Sequence, residues 1–242
     1  SVYLSQHDVN VIYVAFNHHK YGDFKPYIFK SSDKGNSWVS ISSNLPIRGS
    51  VYSIEEDHVD SNLIFCGTEF GVFFSPDYGG SWKELASGLP TIAVRDIAIQ
   101  RRENDLVLGT FGRGFYVLDD YSVLRSVENS DMDPAAKIFD VRDALMWEKA
   151  NPLGLPGKAF QGDNFYLAEN LDPVAIFTYN FDEKFESLKS KRQKAEKKLI
   201  NERKDVSYPT YNELFYEVNE AKPELVFTIR DNKDNVVKKI YR

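Results

Sequence analysis

One eight-residue box constrains this chain more than any other feature. Ser31-Ser32-Asp33-Lys34-Gly35-Asn36-Ser37-Trp38 returns about 44 residues later as Ser75-Pro76-Asp77-Tyr78-Gly79-Gly80-Ser81-Trp82, both reading S-x-D-x-G-x-S-W. The flanks repeat as well. Asn44-Leu45-Pro46 is echoed by Gly88-Leu89-Pro90, and Val51–Ile54 by Val94–Ile97. Gly67-Thr68-Glu69-Phe70-Gly71 is echoed by Gly109-Thr110-Phe111-Gly112. A third box is degraded: Asp119 aligns with Asp77, but no Gly or Trp follows in place. A period near 44 residues suits one four-stranded propeller blade.

The spacing has a physical reason. In a tight turn an Asp side chain accepts hydrogen bonds from backbone N–H groups just ahead of it. The Gly supplies a backbone shape that a Cβ forbids. The second Ser closes the turn, and the Trp opens the next strand and packs between neighbouring sheets. Ser31, Asp33, Gly35 and Trp38, like Ser75, Asp77, Gly79 and Trp82, are therefore expected to be structural.

These residues resemble the Asp-box (BNR) repeats of sialidases, of bacterial xyloglucan-degrading propellers and of sortilin-type receptors. The wording from IYVAFN through GTEFG to LGTFGRGFYVLDD resembles the last blades of large secreted bacterial proteins called sortilin-like or "glycosyl hydrolase" BNR proteins, over about residues 2–125. The resemblance implies a secreted, periplasmic or cell-surface bacterial protein. The chain begins mid-pattern at Ser1, which is read as an excised fragment whose remaining blades belong to a parent protein.

The predicted fold is mainly β: a partial propeller with two complete blades and one partial, then a small β-sandwich-like module with a helical-hairpin insert. The predicted boundaries are 1–125 for the blades, 126–136 for a polar linker, and 137–242 for an immunoglobulin- or fibronectin-like module, with the insert at about 182–222. Val174–Phe181 alternates like a strand. The last residues read as two strands around a turn at Asp231–Asn235. Phe181, Phe185, Leu188, Arg192, Ala195 and Leu199 step by four and three along one helix face. Thr210-Tyr211-Asn212-Glu213 is a capping-box pattern opening a second helix.

In the second blade the strands fall at VYSIEED, LIFCGT, GVFFSP and SWKELA, so the box is the turn between the third and fourth strands. Chain direction reverses at each hairpin. The loops between second and third strands, and the crossovers between blades, therefore share the opposite face, where propellers usually hold ligands. That face would carry His18 and His19 in the long loop Asn17–Lys25, then Glu69, Phe70, Phe111 and Arg113, with Arg48 and Arg95 from the crossovers. These eight are the candidate ligand-binding residues. Adjacent histidines on a loop point apart and have no third ligand near them, so no metal and no cofactor is expected. Glu69 and Asp96 are read as surface carboxylates rather than an acid/base pair, because nothing fixes their separation. Three arginines on one face resemble a sialidase triad, but that family's active-site motif is absent.

The net charge of −6 gives no field that draws the chain to nucleic acid, and the run Lys189–Lys198 is interleaved with glutamates. No apolar run approaches membrane-spanning length. The lone Cys66 permits no internal disulfide. The expected function is non-catalytic glycan binding within a secreted propeller protein. The alternatives are a sortilin-like scaffold for a polypeptide ligand, or part of a true glycoside hydrolase whose catalytic residues lie on other blades. An open blade edge also predicts self-association.

Overall fold

The computed structural model describes residues 1–127, 136–148, 172–181 and 185–242. The chain forms two units, Ser1–Phe181 and Asp182–Arg242. The first unit opens with three antiparallel sheets. Strands β1 (Val2–Leu4), β2 (Ile12–His18), β3 (Asp23–Ser31) and β4 (Val39–Ser40) pair in chain order. The second sheet repeats this with β5 (Val51–Glu56), β6 (Ile64–Thr68), β7 (Gly71–Ser75) and β8 (Lys83–Glu84). The third has β9 (Val94–Gln100), β10 (Asp105–Thr110) and β11 (Phe115–Leu118), paired β9-β10-β11. Propeller blades are four-stranded sheets of this kind, repeated along the chain. The chain is mainly β, with two complete blades and one partial.

The registers fix which residues are equivalent. Ile12 pairs with Ser31, Ile64 with Ser75, and Leu106 with Leu118. The third-blade counterpart of Asp77 is therefore Asp120, not Asp119. The loop between β10 and β11 is one residue longer than its second-blade counterpart, which displaces a gapless alignment by one. Backbone bonds agree: the N–H groups of Lys34, Tyr78 and Tyr121 donate to the carbonyls of Asn10, Asn62 and Asn104. The anchoring Ser31 and Ser75 give way to Leu118, and Asp120 instead accepts from Ser122, opening a 3₁₀ turn at Tyr121–Ser126.

Two apolar seams hold the blades together. Between the first and second lie Tyr13, Ala15, Ile28, Ile41 and Leu45 on one side and Ile54, Ile64, Cys66, Phe73 and Trp82 on the other. Between the second and third lie Phe65, Val72 and Phe74 against Val94, Ile97, Leu106, Leu108 and Tyr121. Each fully buried apolar side chain of this size contributes about 1.5–3 kcal/mol. Cys66 is buried, and burial pushes its thiol up.

Two neighbouring carboxylates at the end of β5 reach in opposite directions. Glu56, fully buried, accepts from the Ser5 hydroxyl at 2.7 Å, the Gln6 amide at 2.8 Å and the Tyr13 hydroxyl at 3.3 Å, all on the first blade. Asp57, also fully buried, accepts two bonds of 2.8 Å from the Arg125 guanidinium and one from the Tyr121 hydroxyl at 2.5 Å. Burial works to raise the Asp57 carboxyl. Arg125, Tyr121 and the Asp60 amide outweigh it and hold the group at about 2.

After the blades come two short two-stranded ladders, with a helical pair between them in chain order. In the first unit β12 (Ala136–Ile138) pairs with β13 (Tyr179–Phe181). The expected strand over Val174–Phe181 is thus confined to its last three residues. The expected loop Asn151–Gly157 and most of the 126–136 linker lie outside the described residues. In the second unit α1 (Leu188–Asn201) and α2 (Tyr211–Val218) precede the hairpin β14 (Val226–Arg230) and β15 (Val236–Tyr241). Ser187 caps α1, so the predicted helical face loses Phe181, a strand residue, and Phe185. The Thr210–Glu213 capping box is present in full. Neither helix buries a side chain, and Arg192 joins them by bonding Glu196 on its own helix and Glu217 on α2. No helix among the described residues is long and apolar enough to cross a membrane.

Candidate functional site

The two boxes are closed by the same set of bonds. Asp33 accepts from the Ser31 hydroxyl at 2.8 Å, the Ser37 amide at 2.8 Å and the Ser37 hydroxyl at 2.6 Å. Asp77 accepts the equivalent three, at 2.6, 2.8 and 3.1 Å. The Ser37 hydroxyl, the Ser37 amide and the Ser31 hydroxyl hold the Asp33 carboxyl down at about 2. Gly35 and Gly79 both have positive φ, 91° and 89°, as this turn demands. Each carboxylate accepts three bonds from its own turn, which fits a staple.

The opposite ends of the strands are built differently. The crossover into the second blade lies against the start of β3 and the loop after β6: the Gly49 amide donates to the Phe24 carbonyl at 2.8 Å, and the Glu69 amide to the Ser50 carbonyl at 3.0 Å. The same bond recurs one blade on, from the Phe111 amide to the Ala93 carbonyl at 2.9 Å. This ladder sets two clusters of rings and guanidinium groups. In one, the Arg48 guanidinium lies 5.7 Å from the Phe24 ring centre, and the Phe70 ring covers Gly49. In the other, Arg95 lies 3.8 Å from the Tyr52 ring centre and 5.2 Å from that of Phe111. Phe111 is 69% exposed. Arg48, Arg95 and Arg113 are all exposed, and no described residue hydrogen-bonds or ion-pairs their guanidinium groups.

The sequence-predicted positions therefore separate. Arg48 and Phe70 fall in the first cluster, Arg95 and Phe111 in the second, and Glu69 on the backbone ladder. Arg95 is the second residue of β9 rather than part of a crossover. Arg113 is exposed at the tip of its loop. His18 ends β2 with its ring stacked on Tyr21 at 4.5 Å, and His19 begins a 3₁₀ turn. The long loop expected over Asn17–Lys25 is shorter than that, because β3 already starts at Asp23. Phe24 lies in the candidate loop Asn17–Lys25 without being singled out there, and Tyr52 is a residue that the sequence reading does not reach. Tyr52 lies inside a strand and reads as core, and only its place opposite Arg95 reveals it. A separate concavity of about 390 Å³ beside the third blade gathers Glu103, Asp105, Asp119, Asp120 and Asp140 around Arg142, which Glu103 already binds at 2.9 Å.

Neither a family model nor a curated protein matches the chain. Three of the similar solved structures are glycoside hydrolases of family GH74. An ancestral GH74 enzyme is 23% identical with a TM-score of 0.39, over 47% of this chain and 13% of its own. The Niastella koreensis GH74 enzyme is 20% identical with a TM-score of 0.43, over 50% and 21%. The GH74 xyloglucanase from Xanthomonas campestris is 15% identical with a TM-score of 0.37, over 45% and 18%. The chain spans about a fifth or less of the length of these structures.

Proposed function

We propose that this chain is a non-catalytic glycan-binding portion of a secreted bacterial propeller protein, and that the ligand lies across the Arg48 and Arg95 clusters. The observation that carries this reading is Arg95 seated between the rings of Tyr52 and Phe111. A sugar ring presents an apolar C–H face that packs on an exposed aromatic ring, and hydroxyls or a carboxylate at its edge that accept from guanidinium N–H groups. Stacking on the two rings orients Arg95 while its donors stay free. Three exposed guanidinium groups on one face, bonded by no described residue, in a chain of net charge −6, favour a carboxylated sugar over a neutral one.

Calorimetric titration with neutral polysaccharides, xyloglucan among them, and with polyuronates tests the proposal. Binding is expected, tighter for the polyuronates and weakened by salt. Arg95→Ala is expected to weaken it by about tenfold or more, the equivalent of 1.4 kcal/mol. Asp33→Asn, on the other face, should leave it unchanged. Silence across the whole panel overturns the reading, and so does equal loss from Asp33→Asn.

A further inference from the structure

The two seams between blades can be compared position by position. From the strand registers, Tyr13 is equivalent to Phe65 and Lys30 to Phe74. Tyr78 is equivalent to Tyr121, because each donates its amide to the carbonyl of an equivalent Asn. The second seam packs Phe65, Phe74 and Tyr121 together, all three buried, with the Phe65 and Tyr121 rings 5.1 Å apart. The first seam puts a cation at the middle position. The Lys30 ammonium lies 4.1 Å from the Tyr78 ring centre and 5.8 Å from that of Tyr13. A lysine where the neighbouring repeat buries a phenylalanine breaks the local pattern, and such breaks concentrate at functional sites.

The ammonium also lacks a counter-charge. In the second seam Asp57 takes the Tyr121 hydroxyl, and Arg125 pairs with that carboxylate. The first-blade equivalent of Asp57 is Ser5, whose amide bonds Val11 as that of Asp57 bonds Leu63. No described residue ion-pairs or hydrogen-bonds the Lys30 ammonium. Burial pulls it below the ordinary lysine range, against the field of Glu56. The Glu56 oxygens are already taken by Ser5, Gln6 and Tyr13. A half-buried cation without a partner is unfavourable, and an anion that reaches it relieves the strain.

Lys30 opens onto a cleft of about 450 Å³ between β3, β4 and the second box. Ser32 and Ser40 line it, both exposed and with hydroxyls that bond no described residue. Asp77 lines it too, but its carboxylate takes three bonds from its own turn, which disperse its charge. The crossover that leaves the first blade fixes the walls. Ser43 donates to the Gly80 carbonyl at 2.9 Å, while Asn44 accepts from the Trp82 amide at 2.7 Å and donates to the Trp82 carbonyl at 2.8 Å. The cleft thus combines one unpaired ammonium, two hydroxyl donors and a rigid frame.

We infer that this cleft binds an oxyanion, a sulfate or phosphate ester, through the Lys30 ammonium and the Ser32 and Ser40 hydroxyls. The terminal oxygens of such a group are strong acceptors and match donors of this kind. The site lies at the box end of the strands and is independent of the proposed glycan face.

The test uses the whole chain after isotope-labelled reductive methylation of its lysines, which keeps their charge. The Lys30 signal is the one lost in Lys30→Phe, a variant that installs the second-seam residue and should melt no lower than the parent. Methyl sulfate and methyl phosphate are titrated in separate arms, with ionic strength held constant by chloride. The Lys30 signal should shift saturably, while those of the exposed Lys189 and Lys197 do not. Ser40→Ala should weaken binding by about tenfold, as loss of a hydrogen bond to a charged group implies. The ester that saturates at the lower concentration identifies the source of the oxyanion. A Lys30 signal that never saturates, or that moves only as the exposed lysines do, means an adventitious ion only and overturns the inference. So does an equal rise in melting temperature with either ester in the parent and in Lys30→Phe.

Discussion

The two boxes share a sequence, a turn geometry and a set of internal bonds, yet they live in different surroundings. Trp82 is buried in a seam and bonded across it, whereas Trp38 lies in the open and bonds within its own turn. Gly79 has Ile41 pressed against it: a Cβ there would stand 2.7 Å from the Ile41 methyl. The nearest atoms to a Cβ on Gly35 are at 3.5 Å and belong to its own Trp38. The box is thus two devices in one. Asp, Ser and Gly close a hairpin whatever lies beside it, and Trp joins that hairpin to a neighbour only when the neighbour is there.

The sharpest way to break this comparison is to remove the two tryptophans in turn. Trp82→Ala leaves a cavity in the seam and should cost about 3–5 kcal/mol in a denaturant titration. Trp38→Ala should cost about 1 kcal/mol or less, as expected of a side chain with few neighbours. Equal losses would show that the Trp acts inside the hairpin rather than between blades. Asn44→Ala comes next. It leaves the Trp82 amide and carbonyl without their partner and should cost about 1–3 kcal/mol, without altering exchange of the Ser37 amide in the first box.

The smallest effect contrasts two carboxylates on or beside one strand. Burial raises Glu55 to about 7, against the pull of the Tyr3 hydroxyl and Arg101. Between its ordinary 4.5 and about 7 the folded chain holds a proton that the unfolded chain has released. Stability is therefore lost as pH rises through that window. Asp57 has the opposite sign: stability present above 3.8 is lost as pH falls toward about 2. Glu55→Gln should remove the first loss. The melting temperature of the variant should exceed that of the parent by about 2–4 °C at pH 7.5, a gap that closes at pH 4.5. A constant gap across that range would show that Glu55 is not the titrating group.

The blades were legible because S-x-D-x-G-x-S-W ties a turn geometry to residue types over eight positions, and because its flanks repeat at blade period. The third box was misread by one residue, since the extra residue in the Phe111–Gly114 loop is visible only in the strand register. Asp57, Tyr121 and Arg125 could not be paired in advance. Asp57 lies more than sixty residues before the other two, and a charge pair leaves no periodic trace. The face proposed for the ligand was legible as a set of loops, because strand direction alone fixes which loops share it. Its ring-to-guanidinium pairings were not, because Tyr52 belongs to an inner strand and looks like any core aromatic. The start of α1 was set by the Ser187 cap, which the hydrophobic stepping through Phe181 and Phe185 concealed.

Glu56 and Asp57 have a consequence for how the molecule comes apart. Stacked repeats behave as a row of units, each coupled to its neighbours, and fraying starts wherever the coupling is weakest. One dipeptide in the middle blade grips the blade before it and the segment after it, so neither end can peel away without stranding a buried charge. Opening of the three blades should therefore be all-or-none, with their slowest amides exchanging at one common free energy. The helical pair and hairpin of 182–242 bury no side chain and should exchange far sooner. The chain would then have a fast clock and a slow one, and the slow one is wound by two adjacent residues.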